Sequence, residues 1–141
     1  MHTKSIFDPE NPVTRLCVEG MMLESHSPEE SRRLFMKAWE DANTVLEASC
    51  AAHYLARFEP DNELKWNQIA LDKALASDHP DAARFLPSLY LNLGKSHEML
   101  QHWENARIHY RKAQEHLCEL IDDGYGQMIK KGIEAALERI P

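Results

Sequence analysis

Residues 90–97 read YLNLGKSH, which sets a glycine, an asparagine and a histidine inside a segment whose apolar residues recur at helical spacing. Leu86, Leu89, Tyr90, Leu93 and His97 fall on one side of a helix, at intervals of three and four. Glycine costs a helix interior about 1 kcal/mol relative to alanine, so Gly94 needs a compensating reason. Two helices approach closely only where a side chain is minimal. The next apolar pattern carries Ala106, Tyr110 and Ala113, small residues and an aromatic at offsets that suit such an approach. Gly94 is therefore read as a packing position. A phosphate-cradling loop is not indicated, because neither G-x-G-x-x-G nor G-x-x-x-x-G-K-[ST] follows a strand pattern.

Outward from this stretch the same period covers almost the whole chain, and no sustained alternation of strand type occurs. Seven helices are expected. The first follows Asn11-Pro12 and carries Val13, Leu16, Gly20 and Leu23, with proline suited to the first helical position. The second follows Ser27, with Glu30 at the capping-box spacing, and buries Leu34, Phe35, Ala38 and Trp39. A third, alanine-rich helix runs over residues 43–58 until Pro60-Asp61-Asn62, and a fourth places Trp66, Ile69, Ala70 and Ala74 on one side. The fifth is expected to begin near Asp81 and to continue, kinked, through Pro87. The sixth carries Trp103, Ala106, Tyr110, Ala113 and Leu117, and the seventh Ile129, Ile133, Ala136, Leu137 and Ile140. Trp39, Trp66 and Trp103 read as core or interhelix aromatics.

The composition suits one globular domain: 141 residues, 43% apolar and 28% charged. A formal charge of −7 argues against a sequence-independent grip on nucleic acid or on an anionic membrane surface. MHTKSIFDPENP contains no apolar leader, and no run approaches the ~18–20 apolar residues that span a bilayer, so a cytoplasmic location is expected. Cys17, Cys50 and Cys118 lack C-x-x-C spacing and are expected to be reduced thiols.

Residues 90–113 resemble the tetratricopeptide repeat, a helix pair of about 34 residues patterned W-x2-L-G-x2-Y and then A-x3-F. Tyr90, Leu93-Gly94 and His97 stand at the first set of places, and Ala106, Tyr110 and Ala113 at the second. Two weaker copies lie upstream. Gly20 anchors one, with Ser31, Phe35 and Ala38; Ala51-Ala52 anchors the other, with Asn67, Leu71 and Ala74. The runs AAHYLAR, KWNQIALDKA and PSLYLNLGKSHEML together resemble short bacterial proteins of this repeat class. The resemblance implies an all-α, right-handed helical-repeat solenoid. Its expected organisation is an N-terminal tail (1–10) and one domain (11–141), divided into repeats at 11–42, 43–76 and 81–121 and a capping helix at 125–140.

In such repeats the first helix of each pair lines a concave groove that usually holds an extended peptide. Helical geometry then selects Ser88, Asn92, Lys95 and Met99 as a stripe separate from the packed side of the fifth helix. The corresponding stripes include Cys50, His53 and Arg57 in the third helix, and Val18 and Met21 in the first. Asn92, Lys95 and Arg57 would suit an acidic segment. The implied function is a non-catalytic adaptor that binds a protein or peptide segment, with neither nucleic acid nor membrane as partner and no cofactor.

Two alternatives stand beside it. One is a homo-oligomeric module, in the simplest case a homodimer. The other is a small-molecule or metal pocket around Cys17, Cys50 and His53, three soft ligands suited to Zn²⁺ or Cu(I). His102, His109 and His116 are spaced by seven, so successive members lie about 10.5 Å apart along a helix and cannot share one ion. No catalytic residue and no metal ligand is assigned.

Overall fold

The structure, a computed structural model, describes residues 5–141. Every regular element among them is helical: α1 (Pro12–Leu23), α2 (Pro28–Asp41), α3 (Val45–Leu55), α4 (Glu63–Leu75), α5 (Asp81–Met99), α6 (Trp103–Glu115) and α7 (Gly124–Arg139). Short 3-10 turns occupy Ala56–Phe58, Pro60–Asn62 and Leu117–Glu119. Of the expected N-terminal tail, residues 1–4 lie outside the described residues. Within residues 5–10 Ile6 is buried, and its carbonyl accepts from Thr14 Oγ1 at 2.7 Å.

Short polar side chains start the helices by taking up amides that have no partner inside them. Asn11 Oδ1 accepts from the N–H groups of Val13 and Thr14, Thr44 Oγ1 from Glu47, and Asp123 Oδ1 from Gly126. The capping box expected at α2 does not form: Ser27 precedes the helix without a side-chain cap, and Glu30 pairs with Arg33 instead. α3 stops at Leu55, three residues before its expected end, and tightens into the 3-10 turn that follows. The cause lies just beyond, where Pro60 pushes Glu59 out of the helical region to φ −129°, ψ 72°. α5 runs from Asp81 through Pro87, as its pattern predicts.

The chain forms two compact units, one of the described residues up to Asp81 and one of Ala82–Pro141. In the first, α1 packs on α2, α2 on α3, and α3 on α4. A Cβ at Gly20 would sit 2.4 Å from Cε1 of Phe35, so the ring occupies the place of a side chain. Ser31 Oγ donates to the Gly20 carbonyl, and Ser49 Oγ to that of Ala70, both at 2.6 Å. Ala51 and Ala52 are fully buried, with Asn67, Leu71 and Ala74 also inside. Aromatic contacts tie the layers: Phe35 stacks on Tyr54 at 5.1 Å, and Trp39 meets the edge of Trp66 at 5.3 Å.

A polar knot in this unit joins the starts of α1 and α3. Asn11, fully buried, donates through Nδ2 to Glu47 Oε2 at 3.1 Å, and Glu47 Oε1 accepts from the Asn43 amide at 2.9 Å. The buried carboxylate is thereby hydrogen-bonded on both oxygens.

In the second unit Gly94 repeats the arrangement at Gly20. A Cβ there would lie 2.5 Å from both Cδ1 and Cε1 of Tyr110, a ring with 0% exposure. The Tyr110 hydroxyl donates to Glu98 Oε1 at 2.6 Å. Arg139, from the end of α7, donates to both oxygens of the same carboxylate at 2.8 and 2.9 Å, which ties α7 back onto α5. Ile129, Ile133 and Ala136 supply the buried face of α7. Trp103, expected as a core or interhelix aromatic, is not in the core: at the first position of α6 it is 40% exposed, because the face buried by Ala106, Tyr110 and Ala113 begins one turn later.

Candidate functional site

In the first unit the expected stripe on α1 is at the surface, with Val18 and Met21 both exposed. On α3 the stripe divides. Cys50 is only 7% exposed and is corrected from a surface to a core position. Its thiol neighbours that of Cys17, and the hydrogen bond between them, followed by burial, pushes the Cys17 thiol far above the ordinary range. The Cys17 thiol is thus protonated and unreactive at neutral pH. His53 is half-buried, with its ring edge against Tyr54. Burial, reinforced by the charge of Arg57, holds its pKa down at about 4. Arg57 is exposed but engaged: it donates to Glu24 Oε1 at 2.6 Å and lies over the Tyr54 ring at 5.5 Å. The guanidinium is therefore positioned rather than freely solvated, at the end of α3 where it meets the segment following α1.

In the second unit the stripe on α5 also divides. Ser88 is buried, and its hydroxyl is bonded to that of Tyr125 in α7, so it too is corrected from surface to core. A stripe defined by angle on one helix does not register which later element covers its first turn. Asn92 is half-buried, Lys95 exposed, and Met99 74% exposed. These three, at successive intervals of three and four, leave the core towards solvent down the last two turns of the helix.

Beside that stripe runs a column of rings that spacing alone does not reveal. His116 stacks on Tyr90 at 5.4 Å, Tyr90 is 6.3 Å from His109, and His109 stacks on His97 at 5.0 Å. His102 completes it, with its Nδ1 3.3 Å from Nδ1 of His97. Burial, and then the neighbouring imidazoles, lower the pKa of His97. The Arg139 guanidinium holds the Glu98 carboxyl below its ordinary range, with Tyr110 adding to the effect, and burial raises the Tyr110 hydroxyl.

No protein-family model, curated protein or solved structure matches the chain. Its chemistry must be read from its own side chains. Among the described residues, no group of three or more His, Cys, Asp or Glu side chains is assembled to hold a metal ion. The alternative of a metal pocket around Cys17, Cys50 and His53 therefore lacks a three-ligand centre. Nor is any helix among these residues long and apolar enough to cross a membrane. The helix-end surfaces remain: Val18 and Met21 with His53 and Arg57 in the first unit, Asn92, Lys95 and Met99 in the second.

Proposed function

We propose that the chain is a tetratricopeptide-like, non-catalytic adaptor that binds a protein or peptide segment. The observation that carries this reading is the repeated seat of a partner aromatic on a helix glycine, Phe35 on Gly20 and Tyr110 on Gly94. The two seats occupy matching places in two helix pairs, as a structural repeat requires. In each pair the first helix keeps a stripe outside this seam, and those stripes are the proposed contact surfaces. Lys95 supplies a mobile positive charge and Asn92 a nearby amide, a combination suited to a peptide carboxylate, while Met99 gives an adaptable apolar contact. In the first unit Val18 and Met21 supply apolar contact and the positioned Arg57 the charge.

Isothermal titration with a set of acidic peptides tests the second-unit surface. The expected result is micromolar binding by the wild type, weakened about tenfold or more by Lys95→Glu and by Asn92→Ala/Lys95→Ala. Lys95 is exposed, so its charge reversal tests recognition without touching the core. Equal affinities in wild type and variants would remove the proposal.

A further inference from the structure

The end of α5 is built as a Schellman motif. The Gln101 amide donates to the Glu98 carbonyl at 2.9 Å, and the His102 amide to the His97 carbonyl, also at 2.9 Å. These are the two bonds that define the motif, and they require a left-handed residue at Gln101, whose φ is +60°. Glycine usually takes that place because a side chain strains it; among the described residues Gln101 alone has a positive φ without being glycine. The motif commonly brings an apolar pair together, from the third-last helical position and the second residue past the cap. Here those two positions are His97 and His102.

The backbone thus brings two imidazoles together, their planes tilted by 44° and their Nδ1 atoms 3.3 Å apart. Zinc binds imidazole nitrogen at about 2.0–2.1 Å, so two such nitrogens at a tetrahedral angle stand about 3.3–3.4 Å apart. The observed separation already equals that of a zinc-bridged pair. His109 supports the geometry: its ring stacks on His97, and its Nδ1 is bonded to the Asn105 carbonyl at 2.7 Å, which fixes the supporting ring. His102 also sits at the start of α6, so both rings spring from ordered backbone.

We propose that His97 and His102 chelate one Zn²⁺ ion through their Nδ1 atoms, with water or a ligand from outside the chain filling the remaining positions. In the neutral pair one Nδ1–H donates to the other Nδ1. On binding, that proton moves to Nε2 of the same ring, both Nδ1 lone pairs face the ion, and no net proton is released. Two protein ligands leave an open coordination sphere, suited to a carboxylate or imidazole of a second molecule.

The test is calorimetric titration of the full chain with Zn²⁺ alone, alongside long-range ¹⁵N–¹H spectra of the imidazoles. The expected result is one ion per chain at micromolar affinity, with ligation shifts at the Nδ1 atoms of His97 and His102. His97→Gln and His102→Asn should each weaken binding about tenfold or more. Asparagine is a good helix start, so His102→Asn keeps α6 and separates lost ligation from lost folding. His26→Asn, on an exposed residue of the first unit, should leave affinity unchanged. The proposal is overturned by no binding below millimolar zinc, by binding insensitive to either substitution, or by shifts confined to Nε2 atoms.

Discussion

Replacing Gly94 with alanine tests the physical account of the fold. Helix propensity alone predicts a gain of about 1 kcal/mol. The structure predicts the opposite sign. The new Cβ would lie 2.5 Å from two carbons of the Tyr110 ring, so the ring must retreat by about 0.9 Å to restore ordinary contact at 3.4 Å. It has nowhere to go: Tyr110 is fully buried, and its hydroxyl is held at 2.6 Å by Glu98, itself clamped by Arg139. Overpacking a well-filled site costs about 1–3 kcal/mol. Disturbing a hydrogen bond to a charged group adds up to about 1.5–3 kcal/mol. After subtracting the propensity gain, Gly94→Ala should destabilise by about 2 kcal/mol, read from urea unfolding followed by far-ultraviolet circular dichroism. In a Tyr110→Leu background, where the ring is gone, the same substitution should become neutral or stabilising. Gly132→Ala is the control, since its Cβ would meet Leu91 Cδ2 at an ordinary 3.4 Å and should gain up to about 1 kcal/mol. A Gly94→Ala protein as stable as the wild type would refute the reasoning.

Glu47→Ala should cost about 1–3 kcal/mol in the same assay, because the buried Asn11 amide loses its acceptor; Glu47→Gln, which keeps a carbonyl there, should cost less. His53 is harder to protonate in the folded chain than in the unfolded one, so the unfolded state takes up its proton first as pH falls. Its contribution is intact above about pH 6.5 and declines between pH 6.5 and 4, a slope that His53→Phe should flatten in a series of urea midpoints. Glu98 acts at lower pH. Its bond to Arg139 holds the folded carboxyl below the ordinary carboxylate range, so the stability from that bond is present above the ordinary range and lost as pH falls through the lowered one. Arg139→Met should remove this acid-sensitive part while leaving the His53 slope unchanged.

The helices were legible because their boundaries are local chemistry. Asn11, Thr44 and Asp123 cap through side chains that reach two or three residues along the chain, and Pro60 ends a pattern by its effect on Glu59. Gly94 and Tyr110 were legible as partners for another reason: a glycine and an aromatic at fixed offsets mean something only if two helices touch there. What spacing missed depends on contacts from far along the chain. Ser88 left the surface because Tyr125 of α7 lies over it, and Cys50 because it meets Cys17. Ser27 and Glu30 had the right interval for a box, but Arg33 competed for the glutamate. The His97–His102 contact was hidden by a residue type. A glycine at position 101 would have announced the helix-ending motif, whereas Gln101 adopts the same left-handed backbone without that signature.

The knot at Asn11 bears on how the first unit opens. One side chain accepts from the Val13 and Thr14 amides and donates to Glu47, which in turn accepts from the Asn43 amide. The first turn of α1 therefore cannot fray alone, as an isolated helix end does, because releasing it uncovers a buried carboxylate 36 positions away. Amide hydrogens at Val13, Thr14 and Asn43 belong to one cooperative opening event and should exchange with solvent at a common free energy. The start of the first helix is thus timed by the start of the third, and the two form one foldon despite the hairpin of chain between them.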